Sequence, residues 1–87
     1  MKVIWKFELG RDNTEISIPK RSKILTFQTQ LHTPCIWVLV DPQAETEIRK
    51  FQTFGTGDKV PNSSSHIGTY QEAGGNLIWH VFEDLQS

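Results

Sequence analysis

The sequence predicts an all-β fold, a compact antiparallel sandwich or barrel of about seven short strands. Three observations lead there. Apolar residues recur with period two along most of the chain. Clusters of turn-forming residues return every ~8–12 positions. No stretch carries a sustained helical stripe. The 87 residues set a single domain, 1–87. A chain this short buries only roughly 60–65% of the surface its unfolded form exposes, so nearly every apolar segment has to contribute. Homo-oligomer formation would add buried area.

The elements follow in order. "KVIWKFEL" puts Val3, Trp5, Phe7 and Leu9 on one face and Lys2, Lys6 and Glu8 on the other, with Ile4 the exception. "GRDNT" supplies turn residues that tolerate left-handed backbone. "EISI" places Ile16 and Ile18 together. Pro19 then ends the strand or marks a sheet edge, because it has no amide to donate. "KILTFQTQL" aligns Leu25, Phe27 and Leu31 against Thr26, Gln28 and Gln30, and "HTP" breaks the run. "CIWVLV" is apolar on both faces, the mark of a central strand. Asp41-Pro42 makes the next turn.

"AETEIRKFQTF" fits two templates. Glu45 with Arg49, and Ala44 with Ile48 and Phe51, suit a helix. Thr46, Ile48, Phe51, Thr53 and Phe54 favour a strand, and the short preceding turn agrees with it. The alternation breaks between Ile48 and Phe51, so the strand reading calls for a bulge near Arg49 and Lys50. "FGTGDKVPNSSS" is a connection of about ten residues, long for a compact domain. "HIGTYQ" resumes the alternation, and Gly74-Gly75 suits a two-residue primed hairpin turn. "NLIWHVF" sets Leu77, Trp79 and Val81 against Ile78 and Phe82, and "EDLQS" reads as a polar, fraying tail.

Charge and composition exclude several functions. A net charge of −1 argues against a nucleic-acid partner, since phosphate neutralisation supplies most of such affinity. The basic cluster is "PKRSK", with Lys20, Arg21 and Lys23. It is a local anion patch or a solvated strand entrance. The lone Cys35 forms no intrachain disulfide. "MKVIWKFEL" has no apolar run of signal-peptide length, and no segment approaches the ~20 apolar residues of a membrane helix. No membrane partner is expected, and a reducing cytoplasm is the expected compartment.

"FGTGDKVPNSSSHIGTYQ" is the stretch that invites a phosphate reading. A nucleotide-hydrolysis loop needs a lysine followed by Ser or Thr at a fixed distance from two glycines, yet Lys59 is followed by Val60. After Gly55 and Gly57, the third glycine of a dinucleotide loop would fall on Val60. A plain nest of backbone amides at Gly55 and Gly57, with Lys59 beside it, stays open. "HTPC" pairs His32 with Cys35, but no second ligand pair exists, so no metal or other cofactor is expected. His80, between Trp79 and Val81, reads as a hydrogen-bonded sheet histidine. Ser63, Ser64 and Ser65 lie near His66 and Asp58, without a nucleophile elbow around them. Cys35 reads as a small core hydrophobe. The chain is therefore not expected to be an enzyme. Trp5, Trp37 and Trp79 are expected to pack in the core, while Tyr70 with one tryptophan is available for an exposed contact surface.

Together, "KVIWKFEL", "IPKRSKIL", "PCIWVLVDPQAETEIRKFQTFGTG" and "HIGTYQEAGGNLIWHVFE" resemble a family of short uncharacterised proteins of phages and prophages, over Lys2 to Glu83. The resemblance implies a phage-encoded accessory protein in the cytoplasm of the bacterial host. It carries no functional residues across. The first expectation is non-catalytic binding to a host or phage protein, such as a defence component, through strand edges and the Phe54–Gln71 stretch. An alternative is an oligomeric binder of a nucleotide signal. It would use Gly55, Gly57 and Lys59 with Lys20, Arg21 and Lys23 for phosphates, and Tyr70 or a tryptophan to stack a base; His66 joins the binding candidates. A virion or assembly component is the third reading.

Overall fold

The computed structural model describes residues 1–85. Seven strands run β1 Val3–Glu8, β2 Asn13–Pro19, β3 Lys23–Gln30, β4 Thr33–Val40, β5 Thr46–Gly55, β6 Ser64–Glu72 and β7 Leu77–Asp84. They form two sheets, β1-β4-β3 and β2-β5-β7-β6, and every pairing is antiparallel. The sheets pack face to face without closing into a barrel, so the architecture is sandwich-like.

The core lies between the sheets. Ile36, Val38 and Val40 of β4 face Ile16, Ile18, Phe51, Tyr70 and Val81 of the other sheet. The doubly apolar β4 is central in its sheet, and Pro19 ends the edge strand β2, as their sequences require. Cys35 is fully buried, and the Lys6 Nζ–Gln30 Oε1 bond of 2.8 Å crosses β4 on the face that carries it.

β5 departs from expectation. It pairs with β2 in continuous register through Ile48, Arg49 and Lys50, and with β7 from Lys50 onward, so it has no bulge there. Ile48 points outward and Arg49 points inward, where its guanidinium meets Glu83. The apparent break in alternation is a buried ion pair. The bulges lie instead in β3, between Ile24 and Thr26, and in β6, between His66 and Gly68. The β3 bulge brings Ile24 and Phe27 to the inner side and leaves Leu25 exposed.

Three turns also differ. Leu31 does not join Phe27 in the core. With His32 it forms the two-residue tip of the β3–β4 hairpin, both residues at positive φ, and it is 92% exposed. The β6–β7 connection is a longer left-handed turn through Ala73, Gly74 and Gly75, not a two-residue one. Glu83 and Asp84 of the expected tail belong to β7, and residues 86 and 87 of that tail lie outside the described residues.

The edge strands β3 and β6 meet at one side of the sandwich. There the Phe27 ring lies against the backbone of Gly68, and a Cβ at position 68 would overlap it. Phe27 also meets Tyr70, with ring centroids 5.9 Å apart. Gly68→Ala should therefore lower stability in urea unfolding by roughly 1–3 kcal/mol, with Phe27→Leu in the same chain recovering part of it. Unchanged stability in Gly68→Ala would contradict this packing.

Candidate functional site

Alternation fixes which residues face away from the core. In the four-stranded sheet, Phe54, His80 and Thr69 stand side by side on the outer face, with Gln52, Phe82 and His66 in the next row. The β6 bulge makes this possible. His66 and Thr69 are three residues apart and would fall on opposite faces of a regular strand; the extra residue at Ile67 brings both outward.

These side chains are joined. His80 Nε2 is 2.8 Å from Thr56 Oγ1, and His80 Nδ1 is 3.0 Å from Thr69 Oγ1. The same Thr69 hydroxyl lies 3.1 Å from His66 Nε2. A hydroxyl has one proton to donate, so the chain Thr56–His80–Thr69–His66 has a direction set by the imidazole tautomers. Phe82 anchors it, meeting Phe54 at 5.7 Å and His66 at 5.2 Å, both edge to face. The result is a half-exposed aromatic and imidazole patch with orientable donors and acceptors.

The connection after β5 borders the patch through Thr56. Gly55, Thr56, Gly57 and Asp58 form a tight turn: the Asp58 amide donates to the Gly55 carbonyl at 3.1 Å, and Gly57 holds φ +95°. The Asp58 carboxylate accepts from the Gly55 amide at 2.7 Å, so a carboxylate of the chain itself occupies this amide of the expected anion nest. A second turn at Pro61–Ser64 leads into β6, with a Ser64 amide to Pro61 carbonyl bond of 3.2 Å.

The structure separates several sequence candidates. Lys20, Arg21 and Lys23 surround the β2–β3 turn, next to the Pro19–Thr46 end of β5, whereas Gly55, Gly57 and Lys59 lie at its other end. At ~3.3 Å per residue along β5 the two groups are roughly 30 Å apart. Lys20 pairs with Glu45 at 3.4 Å, Arg21 occupies the turn at positive φ, and Lys23 is exposed beside Leu39. Lys59 is exposed. The serine grouping does not assemble either, because Asp58 holds Gly55 and His66 meets Thr69. Among the described residues no group of three or more His, Cys, Asp or Glu side chains converges as a metal site.

Tyr70 corrects an expectation most directly. It is 7% exposed and packs in the core, so its ring offers no exposed contact or stacking surface. Trp79 is held from within too, its Nε1–H donating to Glu72 Oε1 at 2.8 Å, while Glu72 also pairs with Arg11 at 2.9 Å. Trp5 is 40% exposed, and Trp37 lies on the outer face of β4 beside Lys6, outside the core that was expected to hold it. Of the sequence candidates only His66 belongs to the patch. Phe54, Thr56 and Thr69 lie in the Phe54–Gln71 stretch expected to make contact but were not singled out. His80 was expected only as a hydrogen-bonded sheet histidine, and Phe82 was not a candidate, although a glycine inside the strand "HIGTYQ" was a signal for the bulge that groups them.

A family model described as a domain of unknown function, DUF7352, matches residues 1–87. The chain belongs to the DUF7352 family. No curated protein and no solved structure matches this DUF7352 chain significantly.

Tyr70 gives a pH-dependent observable. Burial, and secondarily the Glu72 carboxylate, push its phenol above the ordinary value, with Arg11 opposing. The folded chain therefore keeps this proton where the unfolded chain has lost it. The associated stability is complete below the ordinary phenol value of about 10 and is lost as pH rises through the folded one. Tyr70 is the single tyrosine, so phenolate absorbance reports it alone. It should appear later than in the denatured chain, and Tyr70→Phe should flatten the alkaline fall in melting temperature. Coincident titration in folded and denatured chains would contradict the burial.

Proposed function

We propose that this DUF7352 protein is a small phage-encoded accessory protein. It acts without catalysis in the cytoplasm of the bacterial host, by docking a host protein such as a defence component. The observation that carries the reading is the outward face of the four-stranded sheet. A two-layer sandwich turns polar residues to solvent, yet this face presents Phe54, His66, His80 and Phe82 in adjoining rows. Aromatic anchors ringed by orientable polar groups are the chemistry of protein-binding hot spots. The phage origin and compartment rest on the sequence resemblance.

A nucleotide-binding reading draws less support. The two basic groups lie at opposite ends of β5, Asp58 takes the Gly55 amide, and Tyr70 is inside.

Affinity capture from infected bacterial cells tests the proposal, with the wild-type chain, Phe82→Ser, Thr69→Val and Lys23→Ala as baits. Lys23 sits on the other sheet and serves as control. A protein retained by the wild type and by Lys23→Ala should be lost with Phe82→Ser, with affinity falling about 30-fold or more, as loss of a hot-spot aromatic does. Equal capture by patch variants that melt as the wild type does would overturn the proposal, as would no specific capture.

A further inference from the structure

The two sheets have four edge strands, β1, β3, β2 and β6, and three of them are protected. β3 and β6 carry bulges and meet at Phe27 and Gly68. β2 ends in Pro19, which has no amide to offer. β1 has neither a bulge nor a proline, and it pairs only with β4, in continuous register. Its apolar side chains stay open. Val3 and Trp5 lie opposite the core residues Val40 and Val38, yet each is 40% exposed, and Ile4 on the other face is 60% exposed. A lysine on an edge usually discourages pairing, but the Lys6 ammonium is drawn away across β4 to Gln30 at 2.8 Å.

We propose that β1 is a self-association edge. Two copies pair their β1 strands antiparallel about a twofold axis at Trp5, with Lys2 of each opposite Glu8 of the other.

The register follows from symmetry and charge. A symmetric antiparallel pair within one continuous sheet has its twofold axis perpendicular to the sheet, so both copies turn their inner faces to the same side. Residues directly opposite must then share a face, and their numbers sum to an even value. A sum of 8 sets Lys2 against Lys6, and a sum of 12 sets Lys6 against Lys6; both oppose like charges. A sum of 14 sets Lys6 against Glu8 but takes Lys6 from Gln30 and leaves Val3 and Ile4 unpaired. A sum of 10 sets Lys2 against Glu8 twice. On the inner face it stacks Trp5 on Trp5 between two Val3–Phe7 pairs, and on the outer face it lays Ile4 along the Lys6 stem. This register covers the apolar residues that β1 leaves open and joins two three-stranded sheets into one. It lies on the opposite sheet from the His66–His80 patch and is independent of it.

Sedimentation velocity across a wide concentration range tests this. The wild type should approach twice the 10.0 kDa chain mass. Lys2→Glu alone and Glu8→Lys alone each turn two attractive pairs into two repulsive ones and should weaken association about tenfold or more. The mixture of these two single variants should form the mixed dimer, because each supplies the charge the other lacks, and the double variant should dimerise by itself. Lys2 is exposed and outside β1, so its reversal leaves the fold intact and keeps the test readable. A wild type that stays monomeric, a dimer indifferent to both reversals, or a mixture that does not associate would each overturn the proposal.

Discussion

The buried ion pair between Arg49 and Glu83 is the constraint on which the rest of the four-stranded sheet depends. Arg49 Nε and Nη2 meet the two Glu83 carboxylate oxygens at 2.5 and 2.7 Å, a bidentate fork. Its third nitrogen, Nη1, donates to the Ser22 carbonyl at 2.9 Å, on the turn that carries the chain from β2 into the other sheet. The pair thus ties together β5, β7 and the crossover between sheets. Glu83 holds the guanidinium above its ordinary pKa despite the opposing effect of burial, so the cation persists inside. A strand has only two faces. With Arg49 and Glu83 inside, alternation turns Ile48 on β5 and Phe82 and His80 on β7 to solvent.

The bulge in β6 acts on the same face from the other side. Left regular, β6 would set His66 and Thr69 on opposite faces and split the hydrogen-bonded chain that runs from Thr56 through His80. The bulge survives because Gly68 has no side chain, which lets the Phe27 ring approach and seal the sandwich. One glycine therefore serves packing on the inside and composition of the patch on the outside. The other bulge, in β3, brings Phe27 to the inner face that this contact requires.

Much of this was legible in the sequence. The seven strands were placed by period-two patterning together with the turn residues, and Pro19 and the doubly apolar "CIWVLV" announce an edge and a centre. What escaped was phase. Near Arg49 the polar residue at an inward position looked like a bulge, because an inward charge is intelligible only once its partner Glu83, 34 residues away, is known. Near Leu25 the true bulge hid in the apolar pair Ile24–Leu25, where an extra residue does not disturb hydrophobicity, and near Ile67 the glycine at 68 was its mark in the sequence. Tyr70 was misplaced for a related reason. Its inward direction follows from counting across the Ile67 bulge, and its neighbours Phe27 and Trp79 come from other strands.

A double-mutant cycle on Arg49 and Glu83, followed by urea unfolding, tests this account most directly. Arg49→Met should cost roughly 3 kcal/mol or more, because it leaves the buried Glu83 carboxylate without its partner. Glu83→Leu, which leaves a half-buried guanidinium still bonded to the Ser22 carbonyl, should cost less. The double variant should lose far less than the two costs combined, with a coupling of about 2 kcal/mol or more. Additive losses, or single variants as stable as the wild type, would show that the pair does not set the inward face of β5 and β7.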